Sequence, residues 1–205
     1  MAGERGRGWW SEYAGRLPSN FLDLAELEQV STRLLTFESV HVPGLLQTEE
    51  HVRAIYAASV SAFSEEQIDH RTSFRLRRQR VLSREEPFSY DAVIHEAAMR
   101  VRVADRKVAR RQLAHILEQS ERPNISVRVV PFDIDGFTRI GNPMLYAEGA
   151  TPRLDTVLLD NARGGIFVEA EDQLRRYRTV FDGVRSVALD AIGSRALIHR
   201  LSREL

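Results

Sequence analysis

The sequence predicts an α+β fold, with N-terminal helices and two C-terminal helices packed around a mainly antiparallel sheet. Three observations carry this. Before residue 120, apolar residues recur at helical spacing behind recognisable caps. Between about 124 and 168 the pattern switches to short alternating runs divided by turn signals. After 170 the helical period returns twice. With 205 residues the chain suits one compact domain. Residues 1–20 read as a linker-like lead-in and 21–205 as a single domain.

The first ten residues, "MAGERGRGWW", are Gly- and Arg-rich and have no period, as a flexible lead-in should. From Phe21, Leu24, Leu27, Ser31 and Leu34 or Leu35 recur at helical spacing, with Glu26, Glu28 and Arg33 off the stripe. "TFESVHV" loses that period and gains β-branched residues before Pro43 stops it. Thr48, followed by Glu49 and Glu50, starts a second helix through about Ala58. Ser64 and Gln67 have capping-box spacing, so a third helix runs to about Leu82. "FSYDAVIH" alternates like a strand, and Asp105 caps a helix carrying Leu113, Ile116 and Leu117.

"NISVRVVP" opens the second half as a half-buried strand closed by Pro131, and "DIDGFTRIGNP" is a loop by composition. "MLYAE", "DTVLLD" and "IFVE" follow as short strands separated by "GATPR" and "NARGG". That is the spacing of an antiparallel meander rather than of βαβ units. The last two helices carry Leu174, Phe181 and Val184, then Leu197, Ile198 and Leu201 behind Asp190.

Lys+Arg and Asp+Glu both number 29. A net charge of zero offers little counterion release, so the chain is not expected to bind nucleic acid directly. The absence of cysteine excludes disulfides and thiolate chemistry. No apolar run approaches the roughly 18 residues of a membrane span, and nothing resembles a signal peptide, so a cytoplasmic protein without membrane contact is expected.

Six histidines, His41, His51, His70, His95, His115 and His199, lack zinc or triad spacing, so no metal and no cofactor are expected. His95–Glu96 at a strand end is the best acid–base pair, and these two would be the catalytic residues of an enzyme. The plainer reading, a surface pair at a strand end, is preferred. "NARGGIF" allows an anion nest around Arg163, Gly164 and Gly165, but a hairpin turn is preferred. The third helix carries Arg71, Arg75, Arg77 and Arg78, followed by Arg80 and Arg84. They form either a docking face for an acidic partner or a solvated face balanced by Glu65, Glu66, Asp69, Glu85 and Glu86, the second being favoured. Trp9 and Tyr13 form a hydrophobic clamp on the body of the domain, or the paired Trp9–Trp10 merely anchors the lead-in, the two readings being equal.

The stretch "VPGLLQT" at 42–48 sets two leucines beside a Pro-Gly step, where turns normally carry polar residues. Adjacent side chains leaving a turn diverge. One leucine is therefore expected to staple the following helix while the other meets a pocket mouth or a partner, so that polar replacements of Leu45 and Leu46 would abolish binding but leave the domain folded. A staple role for both is the alternative.

Taken in order, "GWWSEYAGRLPSNF", "VPGLLQT" with its following "EEHVRAIY" helix, "RRQRVL", "HEAAMR", "QLAHILE", "NISVRVVPF" and "RYRTVFDGVRSVAL" resemble a known family. It is the uncharacterised C-terminal effector domain of actinobacterial Xre-family helix-turn-helix transcriptional regulators. The resemblance spans Gly8 to the end. It implies a cytoplasmic regulatory domain that binds a small companion protein or a small-molecule ligand, with the DNA-binding half expected upstream. "LLDN" at 158–161 and Met144 depart from the family pattern, and so does "VRVADRK". The residues expected to contact ligand or partner are Val42, Pro43, Gly44, Leu45, Leu46, Gln47, Thr48, Arg78, Gln79, His95 and Glu96. A free-standing cofactorless enzyme of specialised metabolism and a dimerisation module forming a homodimer are the other classes.

Overall fold

A computed structural model describes residues 8–135, 142–161 and 164–205. Most of the Gly- and Arg-rich opening, part of the "DIDGFTRIGNP" loop and Arg163 lie outside the described residues. A 3-10 turn, Trp9–Tyr13, leads into α1, Ser19–Val30. Trp10, Tyr13 and Leu17 pack with Leu22 and Ala25 against Phe74, so from Trp9 onward the lead-in clamps onto the body.

The helical pattern that the sequence carries on to Leu34 or Leu35 stops at Val30. Ser31 turns extended, and its hydroxyl donates to the Leu27 carbonyl at 2.5 Å. Leu34 and Leu35 fall instead in β1, Arg33–Glu38, and join different core clusters. Two adjacent leucines suit either period, and a strand covered on both faces accepts them both.

The caps form at the expected residues. Thr48 accepts from the His51 N–H at the start of α2, Glu49–Ala57. Ser64 and Gln67 make both bonds of a capping box on α3, Glu65–Arg78. Asp105 caps α5, Arg106–Gln119, after the short α4, Glu96–Arg100. The chain ends with α6, Glu171–Val187, and α7, Ala191–Glu204, which Asp190 caps.

The remaining strands are β2, Ser89–His95; β3, Ile125–Val130; β4, Met144–Glu148; β5, Thr156–Asn161; and β6, Gly164–Val168. They form one α+β sheet in the order β3-β2-β1-β4-β5-β6. The β1–β4, β4–β5 and β5–β6 pairings are antiparallel, which makes the sheet mainly antiparallel. The meander is shorter than the expected 124–168, however. β3 pairs with β2, and β2 with β1, in parallel. The helices between these strands are therefore crossovers of βαβ type, which turn signals alone do not distinguish from helices stacked on an antiparallel sheet. β5 and β6 pair antiparallel out to Asn161 and Gly164, the glycine lying at φ 117°, while the intervening residues of "NARGG" fall outside the described residues.

One face of the sheet buries Leu34, Tyr90, Ile94, Val127 and Val129 in a cluster with residues of α5, α7 and the 42–46 turn. The other buries Leu35, Phe37, Val93, Tyr146 and Val157 under Leu174, Phe181 and Val184 of α6. Among the described residues no helix is long and apolar enough to cross a membrane.

Candidate functional site

The 42–48 turn, expected to be half exposed, is buried. Pro43 opens a 3-10 turn, Gly44–Leu46, closed by the Leu46 N–H donating to the Pro43 carbonyl at 2.8 Å. Leu45 is 4% and Leu46 0% exposed, so the expectation that one leucine would remain uncovered is overturned. The 3-10 geometry sends both into the same cluster, with Val42. Side-chain amides meet the turn's polar groups. Gln47 Nε2 donates to the Val42 carbonyl, Gln79 Nε2 to the Gly44 and Gln47 carbonyls, and Gln112 Nε2 to the Leu46 carbonyl. The Thr48 N–H donates to Gln112 Oε1. The turn is a keystone between α3 and α5.

The arginines beside it are not a solvated face. Arg75 donates to Gln47 Oε1 at 2.6 Å and to the Tyr56 hydroxyl at 2.8 Å. Arg78 reaches Glu28 of α1 with two parallel bonds of 2.8 and 2.6 Å, both side chains being buried. Arg84 donates to the Gln29 and Ser31 carbonyls, and Arg71 stacks over Phe63. The acids near these arginines in sequence suggested solvation, whereas the guanidinium forks are used as internal clamps.

His95 and Glu96 are also structural. His95 Nδ1 accepts from the Ala97 N–H at the start of α4, and its ring packs edge-on against Phe132. Burial lowers its pKa. Glu96 is buried, accepting from Arg100 Nε and from the Phe132 N–H. Burial raises the Glu96 pKa, but those two donors more than offset it and the net shift is downward. A carboxylate so held is a poor base, and neither residue lines the cavity described next.

That cavity, of about 120 Å³, opens on the α5/α7 side of the sheet, where β1 and β5 end and β4, running in the opposite direction between them, begins. In sheets with parallel strands such a switch point, beyond the carboxyl ends, is where ligands settle. Leu24 and Glu28 of α1 roof it, Gly44 and Leu45 form one rim, and Arg78, Tyr90 and Thr36 lie within. Leu145 and Leu158 contribute apolar wall, and Glu38 and Asp160 stand at the strand ends. Three of the residues expected from sequence, Gly44, Leu45 and Arg78, therefore meet here, while Val42, Pro43, Leu46, Gln47, Thr48 and Gln79 support them from behind. A second, shallower groove of about 500 Å³ lies between α2, α3 and the Trp9–Tyr13 turn, where Arg53 pairs with Asp69 and Arg77 with Glu12, and Glu49 and Arg80 also line it.

A family described as Domain of unknown function (DUF5753) matches residues 21–200. The chain belongs to this family. No curated protein and no solved structure matches it. Every residue lining the switch-point cavity falls within the DUF5753 match, whereas the Trp9–Tyr13 clamp precedes it.

Within this DUF5753 domain the cavity's electrostatics are uneven. Burial, then repulsion from Asp160, push the Glu38 pKa up to about 7 despite an opposing pull from Arg75. Burial likewise drives the Tyr90 phenol above its ordinary value. Sequence reading missed Glu28, Thr36, Glu38, Tyr90 and Asp160. The available signal was Thr36 and Glu38 at alternate positions after Leu34, two polar groups on the buried face of one strand. Among the described residues no group of three or more His, Cys, Asp or Glu has the arrangement to hold a metal ion.

Proposed function

We propose that the chain is a regulatory effector domain that binds a small-molecule ligand at the switch-point cavity and, by its likeness to Xre-type regulators, works with an upstream DNA-binding helix-turn-helix in the cytoplasm. The observation that carries the reading is a concave site of mixed polar and apolar lining at the end of β1 into which two separate segments, α1 and the 42–46 turn, deliver side chains. A ligand touching both would alter how α1 seats on the sheet. Because α1 packs with the Trp9–Tyr13 clamp at the head of the chain, such a shift passes to whatever is joined there.

A companion protein fits less well, because the leucines offered as its anchor are covered. The enzyme reading loses its acid–base pair to the structural roles of His95 and Glu96. Native mass spectrometry of the protein after incubation with cell extract tests the proposal. A small-molecule adduct is expected on the wild type and not on Leu24→Trp, whose indole would fill the cavity. Identical adduct-free spectra for both proteins overturn it.

A further inference from the structure

The cavity's charges indicate what class of ligand it takes, if the ligand-binding reading is right. Of the charged groups that line it among the described residues, Glu28 and Arg78 satisfy each other through two hydrogen bonds and present no free charge. An anionic ligand would have to break that buried pair to reach a cation. The other two are both acids. Glu38 ends β1 and Asp160 lies on β5, with β4 between them. Phe37 pairs with Met144, and Leu145 with Leu158. Continuing that register places Glu38, Pro143 and Asp160 in a single row across the sheet. Two strand spacings of about 4.8 Å then separate the acidic strands, enough to admit one cationic head between the side chains.

The residue in the middle of the row is a proline, which has no N–H to offer either carboxylate. Among the described residues Glu38 forms no ion pair within 4 Å. The cation that acts on it, Arg75, is held elsewhere by Gln47 and Tyr56. Two carboxylates alone make a poor metal site. Below them Leu24, Leu45, Leu145 and Leu158 give apolar surface. A cavity of roughly 150 Å³ accommodates benzene, so about 120 Å³ suits a body of similar or slightly smaller size with its head in the mouth.

We infer that the site recognises a small hydrophobic amine, whose ammonium lies between the Glu38 and Asp160 carboxylates and whose ring or branched body enters the leucine-lined part of the cavity. The cation relieves the repulsion between the two acids and receives hydrogen bonds from neither Glu28 nor Arg78, which stay paired.

Isothermal titration with benzylamine, benzyl alcohol and benzoate at about pH 8 tests this, because the three share one body and differ in head charge. Benzylamine is expected to bind at least about tenfold tighter than the other two. Glu38→Gln and Asp160→Asn should each erase that preference while leaving benzyl alcohol binding unchanged, with circular dichroism confirming the fold of both variants. Equal or tighter binding of benzoate or benzyl alcohol overturns the amine assignment and leaves the ligand reading standing. A benzylamine preference that survives both substitutions also overturns it. No binding by any of the three overturns the assignment, and the adduct comparison of the wild type with Leu24→Trp then decides separately whether the cavity takes a ligand.

Discussion

The 42–48 turn and the Glu38 corner lie on the same side of the sheet and share the wall at Leu45, yet they are built by opposite rules. In the turn, Gln47, Gln79 and Gln112 meet the backbone groups, and both leucines are covered. At the corner a half-buried carboxylate stands near a second acid, with no cation among the described residues in contact. Buried polar groups that are satisfied rigidify a structure, and those that are not mark where something else is accommodated. An apolar motif can thus be prominent in sequence for purely architectural reasons, while the responsive group sits in an unremarked strand end.

The most severe test of the contrast is Leu45→Asn with Leu46→Asn. Two fully buried leucines cost about 2–5 kcal/mol each when truncated, and polar replacements add desolvation, so the loss approaches the whole stability of an ordinary domain. The double variant is expected to lack a cooperative melting transition, and a normal melt would return the turn to the surface. Arg78→Met comes next. It strands Glu28 in the interior and should cost about 3–5 kcal/mol in urea denaturation, most of it recovered by adding Glu28→Leu.

A subtler test uses pH, since the two regions titrate in opposite senses. Beside the turn, His51 is buried and its pKa is held at about 4, first by desolvation and then by Arg75 and His41. The unfolded state therefore binds the proton more readily, and stability is lost as pH falls from about 6.5 to about 4, by about 3 kcal/mol at most. Glu38 behaves inversely. Its raised pKa means that the folded state binds the proton more readily, so stability is lost as pH rises from about 4.5 to about 7, by a similar or smaller amount because the group is part-exposed. Where the windows overlap, the slopes oppose each other and the wild type should be nearly flat in pH. Glu38→Gln should stabilise the protein above about pH 7 and expose the descending His51 limb on the acid side. A flat profile in that variant would show that one of the two groups is misassigned. The smallest effect expected is for Thr48→Ala, about 1 kcal/mol from loss of the α2 cap, read from the shift in melting temperature.

Much of the fold is legible in the residues because it depends on local chemistry. Thr48, Ser64, Asp105 and Asp190 cap helices wherever tertiary packing lets a helix form, and "FSYDAVIH" alternates as a strand must. Strand direction is not local. Nothing in "NISVRVVP" distinguishes a parallel partner in β2 from an antiparallel one in β4, because a half-buried edge strand has the same alternation in both. The site was legible only in part for the same reason. Gly44, Leu45 and Arg78 belong to short motifs, whereas Glu28, Glu38 and Asp160 become neighbours only once β1 is inserted between β2 and β4. Arg75, Arg78 and Arg84 show the limit of charge counting, since their partners are a glutamine, a tyrosine, a distant glutamate and backbone carbonyls.

The central place of β1 has a consequence for the newborn chain. One side of β1 pairs with β2 and the other with β4, and the residue that meets Phe37 on that second side is Met144. At about 5–20 residues per second, a ribosome leaves that side of β1 bare for roughly 5–20 s after Phe37 is made. During that interval "RLLTFE" is a hydrophobic strand with open backbone groups, the kind of edge that recruits neighbouring chains. Slower translation between β2 and β4 should therefore increase the insoluble fraction, and a chaperone that shields extended apolar segments should reduce it.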